Sequence, residues 1–241
     1  MIERKQRIKM QYLYSENDNF QDLASGRVLY GGKGIPNFPV RLLIEIFGRA
    51  LSYSKKKDDL VLYDPCCGGG YALTVLGLFH NRHIRRIYGS DIDENMVAHA
   101  KKNTALLSAA ALDKRRSEIE DLYDSFGKAS HKEALESWDR IRAMIQKEVA
   151  ADIFRADCTA PLPDISPDII FTDVPYGGLV EWGAGEDPLD AMLEQLWKIS
   201  HEDTVLAVCM DKKQKIACDL WERLEKQNIG KRRFEILKKR P

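Results

Sequence analysis

The sequence lacks the features that mark membrane and secreted proteins. No apolar run approaches the ~20 residues that a membrane-spanning helix needs. Residues 1–10 are rich in charge and contain no apolar stretch of the kind found in a signal peptide. We therefore expect a cytoplasmic protein that does not associate with a membrane.

The spacing of the cysteines lacks the common zinc motifs. The chain has five cysteines, of which Cys66 and Cys67 are adjacent, and no Cys-x-x-Cys pair occurs. An odd number without a regular spacing also argues against a disulfide framework and for a reducing compartment. We expect no bound metal.

The formal net charge is zero, because 37 basic residues balance 37 acidic ones. Phosphate binding depends on clustered rather than total charge. Residues 1–10 carry four basic residues and one acid, and residues 226–241 carry seven and one. Each cluster alone is typical of a solvated chain end, whereas together they give modest support for a polyanionic partner.

Strands alternate with helices along most of the chain. A polar segment covers residues 1–25, and a single domain is predicted over residues 26–241, opening with a helix at 38–54. Strands are predicted at 60–63, 86–90, 152–156, 168–172, 205–210 and 232–237, and helices at 71–79, 95–107, 188–199 and 213–227. This alternation predicts an α/β fold with a mostly parallel sheet and helices on both faces.

One stretch interrupts the alternation. Residues 109–149 are rich in Lys, Arg, Glu and Ala, and they separate two units that a short loop usually joins. Apolar residues recur there at helical spacing, which predicts an inserted pair of helices divided near Gly127. Its role is either structural, as a buttress or lid, or substrate recognition.

Four of the predicted strands are followed by an aspartate. These residues are Asp64, Asp91, Asp157 and Asp173. A single carboxylate after a strand often only caps the next helix. In open α/β sheets, however, ligands bind beyond the carboxyl ends of the strands, so the four predict one functional rim.

The first strand runs into a glycine-rich turn that indicates the cofactor. The turn reads Asp64-Pro65-Cys66-Cys67-Gly68-Gly69-Gly70 and leads into a helix at Tyr71. It fits Gly-x-Gly-x-x-Gly, the nicotinamide fingerprint, poorly. It is similar instead to the first motif of Rossmann-like S-adenosylmethionine methyltransferases. We therefore assign cofactor contacts to Asp64, Pro65, Cys66, Cys67, Gly68, Gly70 and Tyr71.

Two further strand ends extend the predicted cofactor site. Asp91, about twenty residues after the glycine turn, is placed to accept hydrogen bonds from two ribose hydroxyls, with Ile92 beside it. Asp93 is expected to cap the helix that follows. Asp157 stands at the position where such enzymes hold the adenine amino group. The predicted cofactor is S-adenosylmethionine.

The fourth strand end predicts the reaction. Residues Asp173-Val174-Pro175-Tyr176 resemble the (Asn/Asp)-Pro-Pro-Tyr motif of amino methyltransferases. The lone pair of an exocyclic base amine is delocalised into the ring, so the amine is a poor nucleophile. A carboxylate at Asp173 and the carbonyl of Val174 would accept its two N–H groups, Pro175 would fix the turn, and Tyr176 would stack on a flipped base.

A covalent mechanism is not expected. Methylation at a pyrimidine carbon needs a cysteine nucleophile near the catalytic loop. No cysteine occurs between Thr172 and Trp182. Cys66 and Cys67 belong to the cofactor turn, where packing is the simpler role.

These segments together resemble one family, the avilamycin-resistance 23S ribosomal RNA methyltransferases of the AviRa type. The resemblance runs from about Asp22 to Met210 and includes the insertion. The segments that carry it are Phe38–Leu42, Glu45–Phe47, Asp64–Gly68, Leu73–Leu78, Ser90–Asp91, Ala105–Ser108, Phe126–Lys128 and Asp173–Gly177. It implies a class I fold with a mostly parallel seven-stranded sheet, and it implies that Phe38 and Arg41 lie beside the cofactor.

The resemblance also implies a substrate, namely guanine N2 in 23S rRNA, either free or within the large ribosomal subunit. An adenine-N6 methyltransferase or a transfer-RNA guanine-N2 methyltransferase fits the four strand ends equally well. A module that binds RNA or the ribosome without catalysis is a third alternative. A damaged motif would favour that module, but each of the motif residues is intact.

Overall fold

A computed structural model describes residues 10–32, 37–174 and 188–240. A short 3₁₀ turn at Gln21–Leu23 precedes the main domain. The helices are α1 (Val40–Tyr53), α2 (Tyr71–Phe79), α3 (Glu94–Ala105), α4 (Ala109–Phe126), α5 (Ala129–Met144) and α6 (Pro188–Ile199). The strands are β1 (Leu60–Asp64), β2 (Ile84–Asp91), β3 (Ala150–Arg155), β4 (Ile169–Asp173), β5 (Val205–Asp211), β6 (Trp221–Ile229) and β7 (Arg232–Lys239).

The seven strands form one mixed sheet in the order β3-β2-β1-β4-β5-β7-β6. The first five are parallel, while β7 is antiparallel to both β5 and β6. The strand order reverses between β1 and β4. In a parallel sheet this reversal opens a crevice beyond the carboxyl ends of the two strands, so it fixes where a ligand can bind.

Helices cover both faces of the sheet, as predicted. On one face, α1, α2 and α3 pack on strand residues that include Leu62, Ile87 and Phe171. On the other face, α6 packs on Tyr63, Ile170 and their neighbours. Every residue of β1 is buried, as both faces of a central parallel strand require.

The predicted elements are confirmed, apart from shifts of up to two residues at their ends, with one exception. The helix predicted over residues 213–227 is wrong, because residues 221–229 form the edge strand β6. A shift in pairing with β7 between Arg223 and Glu225 breaks the two-residue alternation that would have identified a strand. Strand β6 is the seventh strand of the sheet.

The two helices predicted within residues 109–149 are confirmed. Ser108 caps α4, and Gly127 ends it in the left-handed region at φ 59° before α5 begins. Trp138 on α5 donates to the carbonyl of Leu112 on α4 at 2.7 Å. Arg115 donates to the carbonyl of Val28 at 2.9 Å, so the pair is fixed to the segment that precedes α1.

A buried carboxylate joins the segment before α1 to the sheet edge. Glu45 on α1 is fully buried and accepts the backbone N–H groups of Leu13 and Tyr14 at 2.7–2.9 Å. Arg49, one helical turn later, donates to Glu45 at 2.7 Å and also pairs with Glu225 on β6. The charge of Glu45 is therefore compensated inside the protein.

None of the helices in the described part of the chain combines the length and the apolar character that a membrane span requires.

Candidate active site

The glycine turn after β1 has the conformation that its residues require. Gly68 and Gly70 adopt φ values of 52° and 73°, where side chains cause strain. A Cβ atom at Gly70 would lie 2.8 Å from Cα of Ala100, so α2 packs directly on the backbone of α3. A Cβ atom at Gly68 would meet nothing within 4 Å, so this side of the turn is open to a ligand.

Asp91 at the end of β2 holds the turn in place. Its Oδ2 accepts the N–H of Gly68 at 2.9 Å, and its Oδ1 accepts the N–H of Asp93 at 3.0 Å. A carboxylate oxygen carries a further lone pair, so a fixed Asp91 could still accept hydroxyl groups. Asp93 caps α3 by accepting from the N–H of Asn95 at 2.7 Å, as expected.

A cleft of about 580 Å³, which includes space open to solvent, lies at the reversal between β1 and β4. The predicted site residues that line it are Phe38, Asp64, Cys66, Cys67, Gly68, Tyr71 and Asp173. Residues that were not predicted line it too, namely Asn37, Gly69, Ala72, Met96, Phe171 and Arg232.

The other predicted site residues lie outside this lining; they are Arg41, Pro65, Gly70, Asp91, Ile92, Asp157 and Val174. Ile92 is exposed beside the turn. Asp157 is exposed beyond β3 and accepts from Thr159, at the same sheet edge.

Arg41 contacts the segment that precedes α1. Its guanidinium lies 4.1 Å from the ring centroid of Tyr12, and its Nη1 donates to Asn17 at 3.2 Å. The structure therefore joins Arg41 to the segment before α1.

Asp64 is buried at the back of the cleft. Burial raises the pKa of its carboxyl to about 7, and the nearby Asp91 and Asp173 carboxylates add to this rise. The N–H of Cys66 donates to Asp64 at 3.0 Å and acts in the opposite direction. A cation bound in the cleft would favour the ionised carboxylate and lower this pKa.

Asp173 at the end of β4 is partly buried, and burial raises the pKa of its carboxyl to about 6. Its Oδ1 is buried and has no hydrogen-bond partner among the described residues. Its Oδ2 lies 3.9 Å from Nη2 of Arg232, whose guanidinium also lies 5.0 Å from the ring centroid of Phe38. Asp173 lines the cleft, and a carboxylate oxygen without a partner in the described part of the chain can accept an N–H group from a substrate.

Only part of the predicted catalytic loop can be located. Val174 is buried, and its N–H donates to the carbonyl of Cys209 at 2.9 Å, which fixes the loop to β5. Pro175 and Tyr176 lie outside the described residues. Their predicted roles stay predictions.

Cysteine is present in the cleft without the environment of a nucleophile. Sγ of Cys66 lies 3.5 Å from Sγ of Cys158. The contact with Cys158 and burial raise the pKa of the Cys66 thiol well above its usual value. A thiolate nucleophile needs the opposite shift, so the cleft is unsuited to covalent catalysis through Cys66.

The residues present fit S-adenosylmethionine. Its sulfonium and amino groups are cationic; the carboxylates of Asp64 and Asp173 line the cleft, and that of Asp91 is near enough to raise the pKa of Asp64. Gly68 leaves its side of the turn open, and Phe38 and Phe171 supply an apolar wall. No group of three or more His, Cys, Asp or Glu side chains in the described ranges is arranged to hold a metal ion.

Comparison with known proteins gives a consistent family. A family model described as rRNA methyltransferase AviRa matches residues 10–232. A 23S rRNA (guanine(2535)-N(1))-methyltransferase from Streptomyces viridochromogenes is 38% identical over 228 residues, which cover 90% of this chain and 91% of that protein.

Solved structures agree with the sequence comparison. A crystal structure of the rRNA methyltransferase AviRa from Streptomyces viridochromogenes superposes with a TM-score of 0.84 at 36% identity, over 92% of this chain and 94% of that one. A candidate class I S-adenosylmethionine-dependent methyltransferase from Listeria monocytogenes gives a TM-score of 0.52 at 15% identity, over 88% of this chain and 65% of that one. At this identity the match shows only that the fold is shared.

Proposed function

Because this chain belongs to the AviRa family of S-adenosylmethionine-dependent rRNA methyltransferases, we propose that it methylates a guanine of 23S rRNA at ring N1. The observation that carries this proposal is the carboxylate of Asp173, whose Oδ1 has no hydrogen-bond partner among the described residues and whose Oδ2 lies 3.9 Å from Nη2 of Arg232. The name of the Streptomyces viridochromogenes relative supports both the RNA and the atom.

Guanine N1 suits a carboxylate like that of Asp173. The N1 atom carries a proton and gains a free lone pair only when that proton leaves. A general base works best when its pKa lies near the working pH, and burial raises the pKa of Asp173 to about 6. Asp173 would accept the N1 proton as the new N–C bond forms.

Arg232 adds a reason to favour guanine over adenine. Removal of the N1 proton moves negative charge onto O6 of guanine, and a guanidinium near Asp173 can donate to that oxygen. Adenine presents an amino group at this position. Both this amino group and the guanidinium of Arg232 are hydrogen-bond donors, so they would not pair. The pair of Asp173 and Arg232 thus complements the guanine edge.

Bound S-adenosylmethionine would supply a methyl group on a sulfonium that is already a good leaving group. The work of the protein is then to position the base, exclude water and accept one proton. Asp91 and the glycine turn around Gly68 would hold the cofactor, and Asp64 would face its positive charge.

Guanine N2 is the second candidate. It follows from the likeness of Asp173-x-Pro175-Tyr176-Gly177 to the loop of amino methyltransferases. N1 and N2 are neighbours on the same base edge, so one carboxylate can serve either of them. The order of the two candidates rests on the relative named for N1.

Analysis of the methylated nucleoside tests the proposal. Purified protein is incubated with labelled S-adenosylmethionine and total RNA from a strain that lacks the gene, and the labelled RNA is digested to nucleosides. We expect 1-methylguanosine from 23S rRNA. Recovery of N2-methylguanosine would favour the second candidate, while N6-methyladenosine, label only in transfer RNA, or no label at all would overturn both.

A further inference from the structure

A cluster of lysines stands beside the cleft, on the side of β5 and β7. We define the basic lip as Lys212, Lys213, Lys215 and Lys231. Resting on the proposed function, we propose that the basic lip binds phosphates of the RNA strand that flank the target guanine. This assigns a surface to the RNA backbone, in addition to the residues that face the base.

Strand register places the basic lip at the same sheet edge as Asp173. Asp173 pairs with Cys209 in parallel register, so the end of β5 at Asp211 extends two residues beyond it. Asp211 pairs in turn with Arg232, the first residue of the antiparallel β7. The basic lip follows Asp211 on one strand and precedes Arg232 on the other.

The charges of the basic lip are available to a partner. All four lysines are exposed, and none forms an ion pair with another residue of the described ranges. Residues 211–215 and 228–233 together hold six basic residues and one acid, Asp211. Arg86, by contrast, is paired with Asp152.

The backbone beneath the basic lip is already hydrogen-bonded. The N–H of Lys212 donates to the carbonyl of Lys231 at 3.0 Å, which joins the two segments. Asp211 accepts from the N–H of Lys213 at 2.8 Å, and Arg233 donates to the carbonyl of Gln214 at 2.9 Å. The lysine side chains therefore project from a rigid base.

RNA phosphate is the partner that this arrangement fits best. Lysine is a point charge that suits phosphate without reading sequence, and backbone contacts are what fix register in nucleic-acid complexes. The basic lip adjoins Arg232, which lies in the cleft next to Asp173. The basic lip is therefore placed to meet the backbone of an RNA strand whose base lies at Asp173.

Matched charge removal tests the proposal. The lip variant is Lys212→Gln, Lys213→Gln, Lys215→Gln and Lys231→Gln. The control variant is Lys101→Gln, Lys102→Gln, Lys114→Gln and Lys147→Gln, four lysines that are also exposed and have no ion pair in the described part of the chain. Dissociation constants for 23S rRNA transcribed in vitro are measured against KCl concentration, together with those for S-adenosylmethionine.

We expect the lip variant to bind this RNA at least tenfold more weakly at about 0.1 M KCl, while the control and the affinity for S-adenosylmethionine stay unchanged. The slope of log Kd against log salt should fall by about 3 to 4, since four phosphate contacts are removed and each contributes ~0.7–0.9. At saturating RNA, kcat should be retained while KM rises.

Two results would overturn the proposal. Equal losses in the lip and control variants would mean that only total charge matters. A defect seen with whole large subunits but absent with naked 23S rRNA would mean that the basic lip contacts a ribosomal protein. RNA binding is measured here without methyl transfer, so a wrong target atom would leave this test intact and would count against the proposed function alone.

Discussion

At the scale of single residues, similar carboxylates differ because their surroundings differ. Glu45 is buried yet holds a low pKa, because the backbone N–H groups of Leu13 and Tyr14 and the guanidinium of Arg49 outweigh its burial. The pKa values of Asp64 and Asp173 are raised, because burial outweighs the hydrogen-bond donors and positive charges near these carboxyl groups. Glu45, with several donors, holds parts of the fold together, whereas Asp64 and Asp173, whose burial outweighs their donors, line the cleft.

Methyl transfer should depend on the ionisation of Asp173. As pH falls through about 6, Asp173 gains a proton and can no longer accept one, so kcat should fall about tenfold per pH unit below that point. Asp173→Asn should lower kcat by roughly 10²–10⁴ and change the Kd for S-adenosylmethionine less than threefold. Steady-state kinetics from pH 5 to 8 and calorimetry measure both; loss of cofactor binding in the variant would contradict the role.

Asp64 should cost stability at high pH. The pKa of Asp64 is about 7 in the folded protein and near 3.8 in the unfolded chain. The folded protein therefore has its full stability while this carboxyl is protonated in both states at low pH. It loses part of that stability as the pH rises from about 3.8 to about 7, because the unfolded chain releases the proton first. Asp64→Asn should therefore raise the free energy of unfolding at pH 8 by on the order of 1–3 kcal/mol, which corresponds to a rise in Tm of a few degrees. The gain should be smaller at pH 5.

The same variant should bind S-adenosylmethionine at least tenfold more weakly, because a neutral amide replaces the carboxylate that faces a cation. Thermal unfolding of the cofactor-free protein and calorimetry of binding give the two values. A variant that is no more stable than the wild type at pH 8 would show that the buried, ionised carboxylate of Asp64 does not destabilise the fold.

At the scale of elements, the contact between α2 and α3 positions the glycine turn. Gly70 begins α2 with a positive φ and leaves no space for a side chain against Ala100. Asn103 on α3 donates to the carbonyl of Gly69 at 2.8 Å, so the turn is held from the same helix. The cofactor side of the cleft therefore depends on how closely these two helices pack.

Gly70→Ala should destabilise the protein by about 2–4 kcal/mol, since it adds a steric clash to backbone strain. Gly127→Ala is the matched control, because Gly127 also has a positive φ but a Cβ there meets nothing within 4 Å. It should cost only ~1 kcal/mol. Urea unfolding measures both changes, and equal costs would mean that the packing against Ala100 relaxes freely.

The one wrong element shows what local pattern cannot supply. Residues 213–227 contain no glycine or proline, and Ile216, Leu220 and Leu224 recur at four-residue spacing. As an edge strand, β6 exposes charged residues on much of its length, and the register shift removes the remaining alternation. Pairing with β7 overrides the local preference, and pairing is not visible in one segment.

At the scale of the whole molecule, the sequence predicts which residues lie at the ends of the strands, but it does not predict which side chains from other strands contact them. Asp64, Asp91 and Asp173 could be placed at one edge because parallel strands share an edge. Arg232 could not, since it reaches Asp173 only through the antiparallel pairing of β7 with β5. Arg41 was assigned to the cofactor by resemblance, and its contacts with Tyr12 and Asn17 become visible only when the chain folds back.

The Glu45 and Arg49 pair has a consequence for cooperativity. It connects residues 13–15 with Glu225, so segments more than 200 residues apart share one set of buried charges. Opening the early segment would remove backbone donors from the buried Glu45, and opening the edge strand would remove Glu225 from Arg49, and either loss inside the protein is costly. The early segment and the edge strand should therefore open together, as one cooperative unit of local unfolding, although they are remote in the chain.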